Sequence, residues 1–304
     1  VAQQAWKRLG FPRYDWLAGK ADLYHFPNFI RPPLSRGCKS VVTIHDVSFL
    51  RMPETTEERN LAWLSAEIHR TAGKADAILT DSRFSATEIV ELLKVPAEKV
   101  FPVWLGLPEF GPPPAPEAAA AARRALGLER PYLLMVGTIE PRKNIPFLVQ
   151  IFETLKEFDG DLVLVGGLGW KTGATLRALA DSPRRAGIKL LKHVTDAQLA
   201  ALYAGAAAFV FPTRYEGFGF PPLEAMGRGA PVIAARNSSL PEVLGDAAEW
   251  VDGFDAEAWA AKIRAVLGDA ARAARLRSAG FAQARKFTWA ETARRTWAVY
   301  RRLA

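Results

Sequence analysis

Short apolar runs alternate with segments of helical periodicity along most of the chain. Four runs in the first part have the length of buried strands: residues 22–26, 40–46, 77–82 and 100–104. Between them, apolar residues at helical spacing predict helices near 57–73 and 84–94. This alternation predicts parallel βαβ units whose strands are covered on both faces.

A proline-rich segment, residues 106–121, interrupts the alternation. Its five prolines do not fit a sheet interior, so it is predicted to be a linker that leads into an alanine-rich helix. Five further strand candidates follow it: residues 132–137, 161–166, 188–191, 207–212 and 230–235. The sequence thus predicts two α/β domains, residues 1–108 and 109–288. The first shows fewer strands than the second and the chain starts at Val1, so we expect the first domain to be incomplete.

Composition agrees with a folded protein that has two hydrophobic cores. Of the 304 residues, 49% are hydrophobic and 24% are charged, and no apolar run approaches the length of a transmembrane helix. Cys38 is the only cysteine, which excludes internal disulfides and favours a reducing compartment. We therefore expect a cytoplasmic protein.

Positive charge is concentrated near the C-terminus. The net charge is +8, and residues 254–304 carry 11 Lys and Arg against 4 Asp and Glu. Such an excess can attract anionic lipid headgroups or nucleic acid, or it can be an ordinary solvated helical face. We expect peripheral contact with the inner face of the membrane through these basic helices, and no nucleic acid partner.

Several polar or glycine-rich loops follow strand candidates, where parallel sheets bind ligands. Lys143, in VGTIEPRKNI, is expected at a helix N-terminus, where main-chain N–H groups and the helix dipole favour an anion such as a diphosphate. The glycines of LVGGLGW would let a ligand approach the backbone. His193 and Val194 form a turn that could hold a nucleotide base through main-chain groups. Ordinary solvated loops would explain each of these features equally well.

The most specific motif is RYEGFGFPPLEAMGRGAPVI, residues 214–233. Glu216 stands on a glycine-rich loop, and Glu224 lies in a helix predicted to begin at Pro222, because proline is tolerated in a first helical turn. Two such carboxylates can accept hydrogen bonds from pairs of vicinal hydroxyls on either side of a diphosphate, which is the arrangement of a sugar nucleotide. The alternative is that both glutamates only cap and solvate.

This run resembles the E-x7-E signature of the retaining glycosyltransferases of family 4. The resemblance extends over roughly residues 21–304 and includes IHDVSFLRMPE, TDSRFSATEIV, VGTIEPRKNI and FTWAETARRTWAVYRRL. It is strongest for the branch of bacterial mannosyltransferases of O-antigen and exopolysaccharide synthesis. It implies the α/β GT-B fold, in which two Rossmann-like domains with parallel sheets face each other across a cleft. The implied activity moves mannose from GDP-mannose to a glycan or lipid-linked glycan acceptor.

The resemblance also implies roles for individual residues. Glu216 matches the glutamate that contacts the donor sugar near the reacting face, and Glu224 matches the one that contacts the ribose. Lys143 matches a lysine that binds the diphosphate. Three residues match the loop whose backbone meets the sugar and phosphate: Gly217, Phe218 and Gly219.

His45 matches a histidine of the first domain that faces the donor sugar, although a histidine satisfied within the core would fit its position too. Thr138 departs from the family, because many relatives place a diphosphate-binding arginine there. Arg142 or another group is therefore expected to assist. The family's opening glycine-rich loop has no counterpart after Val1.

The C-terminal stretch has apolar residues at helical spacing, a stripe that needs a partner surface. These are Trp289, Ala293, Trp297 and Tyr300. The resemblance implies that this helix, 289–304, crosses back to join the first domain.

We predict no metal and no cofactor, since Lys143 and helix N-termini would stabilise the charge that develops on the leaving diphosphate. Glu216 could be a nucleophile, as in retaining glycosidases, but the resemblance favours front-face attack with Glu216 as an orienting and electrostatic group. Two other functions stay open: a sugar-nucleotide epimerase or phosphorylase of similar fold, and a non-catalytic binding or scaffold protein.

Overall fold

The computed structural model describes residues 11–110 and 114–303. The chain divides into two compact units, Val1–Gly106 with Trp289–Ala304, and Leu107–Thr288. The division falls two residues before the predicted boundary at 108. Residues 111–113 of the predicted linker lie outside the described residues.

In the described part of the first unit, four parallel strands form one sheet in the order β1-β2-β3-β4. The strands are β1 Leu23–Phe26, β2 Lys39–Thr43, β3 Ala77–Thr80 and β4 Val100–Pro102. The helices of this part before the linker are α1 Tyr14–Ala18, α2 Ser48–Arg51, α3 Glu58–Lys74 and α4 Arg83–Leu93. Each strand starts at or next to the start of its predicted run.

Both faces of this sheet are covered, as continuous apolar strands require. Val42 and Ile78 belong to a core cluster on one face, whereas their neighbours Val41 and Ala77 belong to a cluster on the other. The alternation follows from the two-residue period of a strand. Helix α4 begins after Ser82, whose hydroxyl accepts a hydrogen bond from a main-chain N–H of its first turn.

The second unit contains a sheet of six parallel strands in the order β10-β9-β8-β5-β6-β7. The strands are β5 Tyr132–Val136, β6 Asp161–Val165, β7 Ile188–Leu191, β8 Ala208–Phe211, β9 Val232–Ala235 and β10 Ala248–Val251. The sequence analysis missed β10. It is a short edge strand that contains Glu249, and this carboxylate pairs with Lys262 and Arg272.

Helices connect these strands. They are α5 Pro116–Ala125, α6 Ile145–Thr154, α7 Gly173–Asp181, α8 Asp196–Gly205, α9 Phe220–Gly227, α10 Leu240–Leu244, α11 Ala256–Leu267 and α12 Ala270–Ala284. Thr195 caps α8 through a reciprocal capping box with Gln198. Within the described ranges, no helix is both long enough and apolar enough to cross a bilayer.

The C-terminal helix, α13 Trp289–Leu303, belongs to the first unit. Its buried residues are Thr292 and Val299, and Val299 packs against Val41 and Leu79 of the sheet. The predicted contact stripe was right in part. Tyr300 packs against the same cluster, and its hydroxyl is 2.5 Å from His25 Nδ1 of β1. Trp289 and Trp297 do not belong to the contact, because they are 52% and 60% exposed and face outward.

Candidate active site

The motif residues predicted to bind a donor follow two strands at the middle of the second sheet. The loop with Lys143 follows β5, and the loop with Glu216 follows β8. Although these strands are far apart in sequence, they are hydrogen-bonded neighbours, with Leu133 opposite Ala208. The chain proceeds to β6 on one side of β5, and it proceeds from β8 to β9 on the other. This is a topological switch point, where open parallel sheets bind ligands at the carboxyl ends of their strands.

Lys143 and Glu216 form a buried ion pair at this point. Lys143 Nζ donates to Glu216 Oε1 at 2.7 Å, and each residue is 5% exposed. Thr213 Oγ1 donates to the same carboxylate oxygen at 2.8 Å. Burial alone would raise the pKa of the Glu216 carboxyl, but the charges of Lys143 and Arg142 outweigh it and hold that pKa below its usual value.

Arg142 joins a second carboxylate to this pair. Its Nη1 donates to Glu216 Oε2 at 3.2 Å and to the Tyr215 carbonyl at 2.8 Å. Its Nη2 donates to Glu140 Oε1 at 2.7 Å. Glu140 is 3% exposed, and the sequence analysis did not select it. We call Glu140, Arg142, Lys143, Thr213 and Glu216 the Glu216 cluster.

The backbone of the Glu216 loop is fixed by a polar segment that follows β9. Ser239 Oγ lies 2.8 and 2.9 Å from the carbonyl oxygens of Glu216 and Phe218, and the two oxygens share its one proton. Ser238 Oγ accepts from the Glu216 N–H at 2.9 Å, and Asn237 Nδ2 donates to the Thr213 carbonyl at 2.9 Å. The signal available in the sequence was a run of short polar side chains, NSS, that begins one residue after the end of a strand.

Two glycines are required by the geometry of these loops. Gly219 has φ +106, and a Cβ there would lie 2.6 Å from Leu240 Cδ2. Gly137 has φ +148, and a Cβ there would lie 3.3 Å from Lys143 Cε. Phe218 is 4% exposed and its ring packs against Phe287. Its side chain is therefore part of the core, which leaves only its main chain for the predicted donor contact.

The hydrogen-bond partner described for Glu224 does not belong to the Glu216 cluster. Helix α9 begins at Phe220 rather than at Pro222, so Glu224 stands in its second turn. The Tyr203 hydroxyl of α8 donates to Glu224 Oε2 at 3.0 Å. Burial raises the pKa of the Glu224 carboxyl, although Tyr203 and Arg228 oppose that rise. Tyr203 is a contact that no local pattern indicated.

The other predicted donor-binding residues also lie at carboxyl ends of strands. Thr138 is exposed just after β5, and the exposed His193 and half-buried Val194 follow the edge strand β7. No described contact joins His193 or Val194 to the Glu216 cluster. The cluster follows β5 and β8, in the middle of the sheet, whereas β7 lies at its edge. Their predicted roles stay predictions.

His45 lies in the first unit, in the loop after β2. Its Nδ1 is 3.0 Å from Asp81 Oδ2, and its Nε2 is 3.2 Å from the Pro27 carbonyl. The hydrogen bond to Asp81 raises the pKa of the His45 imidazole, although burial opposes this. Because a carboxylate and a carbonyl can only accept, both contacts are made together by the imidazolium form. The role of His45 toward a donor sugar stays a prediction.

The one Asp-x-Asp sequence, Asp159-Gly160-Asp161, does not meet the Glu216 cluster. It lies at the amino end of β6, the opposite edge of the sheet, and Arg130 pairs with both carboxylates. Across residues 11–110 and 114–303, no group of three or more His, Cys, Asp or Glu side chains is arranged to hold a metal ion.

The sequence is similar to those of known glycosyltransferases. Residues 119–283 match the family described as glycosyl transferases group 1. O-antigen chain mannosyltransferase B of Escherichia coli is 34% identical over 305 residues, a region that covers 99% of this chain and 77% of that protein.

Two solved structures share the fold. Sucrose-phosphate synthase (tll1590) from Thermosynechococcus elongatus matches with a TM-score of 0.76 at 23% identity, over 95% of this chain and 75% of its own. Anabaena Alr3699/HepE, solved in complex with UDP-glucose, matches with a TM-score of 0.74 at 18% identity, over 86% and 72%. The predicted α/β GT-B fold class and the predicted glycosyltransferase activity class are confirmed. The chain belongs to the glycosyl transferases group 1.

Proposed function

We propose that the protein transfers mannose from GDP-mannose, with retention of anomeric configuration, to a glycan or lipid-linked glycan acceptor in the synthesis of a cell-surface polysaccharide. The observation that carries this proposal is the Glu216 cluster at the switch point of the second sheet. The relative named as an O-antigen mannosyltransferase supports the choice of sugar and pathway class. The complex of Alr3699/HepE with UDP-glucose supports a sugar nucleotide as the class of donor.

The cluster supplies the two kinds of group that a sugar nucleotide needs. The cation Lys143 suits a diphosphate, the carboxylate Glu216 suits sugar hydroxyls, and Arg142 pairs with Glu216. These groups satisfy one another within the protein. Donor binding therefore exchanges partners: the diphosphate takes Lys143, and Glu216 turns an oxygen toward the sugar.

In the proposed reaction, the bond between the anomeric carbon and the β-phosphate oxygen breaks, and its electron pair leaves with the nucleoside diphosphate. The acceptor hydroxyl oxygen forms the new bond to the same carbon on the same face, and its proton passes to the departing phosphate oxygen. Lys143 stabilises the charge on the leaving group, as a preorganised cation does. Metal ions are not required for this step.

The surroundings of Glu216 favour an orienting role over a nucleophilic one. Its Oε1 accepts from Lys143 and Thr213, and its Oε2 accepts from Arg142. A carboxylate held by two cations has a lowered pKa and is a weak nucleophile. It can still stabilise the positive charge that develops at the anomeric carbon. Trapping with a slow 2-fluoro donor followed by mass spectrometry of the protein tests this, since an adduct on Glu216 would show the nucleophilic route.

The proposed function is tested by incubating the protein with GDP-mannose, UDP-glucose or ADP-glucose and an extract of lipid-linked glycans. Mass spectrometry of the products should show one added hexose with GDP-mannose, and NMR of the new linkage should show the donor's anomeric configuration. A thermal-shift series with the same donors identifies the base. A ligand at about 100 times its Kd should stabilise the fold by about 2.7 kcal/mol.

The same experiment separates the two alternatives. An epimerase would convert the sugar nucleotide into an isomer without any acceptor, and a phosphorylase would need inorganic phosphate. A scaffold protein would bind the sugar nucleotide in the thermal-shift series and form no product at all. Transfer to the acceptor extract contradicts both.

We also propose that the protein acts at the cytoplasmic surface of a membrane and that the outward face of α13 contacts anionic lipid. Trp297 is 60% exposed, and Arg294 and Arg301 lie three residues before it and four after it, on the same face. Tryptophan beside arginine is typical of segments that lie in the headgroup region. The excess of 11 basic over 4 acidic residues in 254–304 adds attraction to that surface.

Co-sedimentation with vesicles tests this contact. Binding to vesicles that contain phosphatidylglycerol should exceed binding to pure phosphatidylcholine and should weaken with salt, each arginine contributing on the order of 1 kcal/mol. Trp297→Ala and Arg301→Gln should reduce binding, whereas Phe254→Ala, which removes a 45% exposed aromatic from the second unit, should not. Equal binding of all variants, or insensitivity to salt, would contradict the proposed surface.

A further inference from the structure

We propose that Glu140 is a positioning residue that holds Arg142 against Glu216 and keeps the Arg142 charge away from the donor diphosphate. The inference rests on the proposed function, because it assigns a task within the same donor site. Glu140 lies within the run VGTIEPRKNI, but the resemblance assigns it no role. Its carboxylate is among the most buried charges of the second unit, at 3% exposure.

The first observation is that the Glu140 carboxylate pairs with Arg142 and does not cap the turn that follows it. Glu140 precedes the 3-10 turn Pro141–Lys143, in the position where an acidic side chain would cap, yet it makes no capping hydrogen bond. Its Oε1 instead accepts from Arg142 Nη2 at 2.7 Å. A buried carboxylate needs a partner of this kind, so the pairing with Arg142 is the reason that Glu140 can be charged where it lies.

The second observation is the geometry of the guanidinium. Arg142 presents one terminal nitrogen to Glu140 and the other to Glu216 Oε2, at 3.2 Å, and to the Tyr215 carbonyl, at 2.8 Å. The guanidinium is planar and its donors have a fixed spacing, so anchoring one side sets the direction of the other. Glu140 thus orients the nitrogen that meets Glu216.

The third observation is the balance of charge. Glu140 and Glu216 balance Arg142 and Lys143 within the cluster. When a diphosphate takes Lys143, Glu216 loses one cationic partner, and Arg142 becomes the cation that holds its carboxylate in place. Without Glu140, the Arg142 guanidinium keeps its contacts with the Tyr215 carbonyl and Glu216 but loses the anchor of its other terminal nitrogen, which can then turn toward the diphosphate. The diphosphate would then bind more tightly in the ground state. Glu216 would be less well oriented in the transition state, so the rate would fall.

The inference therefore predicts opposite changes in affinity and rate. Glu140→Gln should bind GDP, UDP, ADP or pyrophosphate about 3- to 10-fold more tightly than the parent, because Arg142 has lost its partner Glu140 and can pair with the bound anion. The same variant should have kcat lowered about 10-fold, because Glu216 is less well oriented. Glu140→Asp keeps the charge and should leave diphosphate affinity close to that of the parent.

A double-mutant cycle shows whether Glu140 acts through Arg142. In an Arg142→Gln background, Glu140→Gln should change diphosphate affinity by less than about twofold, because the group that it positions is gone. Glu249→Gln is the matched control. It removes another buried carboxylate with two cationic partners, Lys262 and Arg272, on the edge strand β10, and should change stability without tightening diphosphate binding.

The outcomes separate this inference from the proposed function. If the parent binds none of the four probes, the proposed function and this inference both fail. If the parent binds a probe and Glu140→Gln binds it equally or more weakly, the positioning role fails alone. Tightening that persists in the Arg142→Gln background would also overturn it, since Glu140 would then act directly on the anion. Urea unfolding of each variant shows that the affinities refer to folded protein.

Discussion

The surroundings of Glu216 and Glu224 shift the pKa of the same type of side chain in opposite directions. Glu216 is buried among Lys143, Arg142 and Thr213, and these partners hold its pKa below the usual value. Glu224, eight positions later, accepts a hydrogen bond from the Tyr203 hydroxyl of α8, and burial raises the pKa of its carboxyl. The Glu216 carboxylate is thus stabilised as an anion by cations. For Glu224, burial disfavours the ionised carboxylate, and its hydrogen-bond donor, Tyr203, is neutral.

This difference bears on what each glutamate can contribute. A carboxylate fixed by cations is preorganised to meet positive charge, which develops only in the transition state of glycosyl transfer. A carboxylate beside a phenol is suited to neutral hydroxyls, such as those of a ribose, which are the same before and after the reaction. We therefore expect Glu216 to govern the rate and Glu224 to govern donor binding.

The largest effect expected is on kcat when Glu216 loses its charge. Glu216→Gln keeps the shape of the side chain but removes the anion, so kcat should fall about 100-fold or more. Steady-state kinetics with saturating donor measures this. Glu249→Gln, outside the Glu216 cluster, should retain parental kcat. A Glu216→Gln protein that changes only KM would reverse the assignment of the two glutamates.

The next largest effect is a loss of diphosphate affinity when Lys143 of the Glu216 cluster is removed. Lys143→Ala should weaken the donor and the free nucleoside diphosphate together, by about 1.5–3 kcal/mol for a charge-assisted contact. Calorimetric titration with GDP measures it. Lys262→Ala removes a lysine that also pairs with a buried glutamate, and it should leave the affinity unchanged. Equal affinity of Lys143→Ala and the parent for GDP would exclude Lys143 as a diphosphate ligand.

A smaller effect is expected from the second region. Glu224→Gln removes an interaction that is the same in ground and transition states, so KM for the donor should rise about 10-fold while kcat stays within about threefold. The comparison is sharpened with a 2′-deoxyribose donor, which lacks the hydroxyl concerned. That donor should show little further loss in the variant. A fall in kcat alone would place Glu224 at the reacting centre.

The smallest effect is the dependence of stability on pH, which should have opposite signs in the two regions. The lowered pKa of Glu216 means that its stabilising contribution is present above the unfolded pKa, about 4.3, and is lost as pH falls through the folded value. The parent should therefore exceed Glu216→Gln in stability at neutral pH, and the gap should close in acid.

For Glu224 the sign is reversed. Its raised pKa favours the protonated form, so its contribution is present below the unfolded pKa and is lost as pH rises through the folded value. Glu224→Gln should gain on the parent as pH increases from about 4 to about 7. Urea unfolding across this range measures both variants. Parallel curves for the two would contradict the difference between the regions.

Much of the fold was predictable because buried parallel strands are continuous apolar runs. The runs at 132–137 and 161–166, for example, contain β5 and β6. Strand β10 was not predicted because the charged Glu249 leaves only Trp250 and Val251 as consecutive large apolar residues. Helix α13 was predicted, but its contact face was predicted only in part. Both its faces hold apolar residues, so the periodicity alone could not tell that Val299 and Tyr300 pack against the sheet whereas Trp297 does not.

The parallel α/β class and the positions of the loops that contain Lys143 and Glu216 could be predicted from the sequence alone. Each of these depends on neighbours within a few residues: periodicity and the position of a loop after a strand. Only the tertiary structure decided that β5 lies beside β8, so that Lys143 meets Glu216 across 73 positions of the chain. It likewise brings the Tyr203 hydroxyl of α8 to Glu224 of α9. Pairings of this kind depend on strand order and helix packing, and local patterns carry no information about which distant loops those bring together.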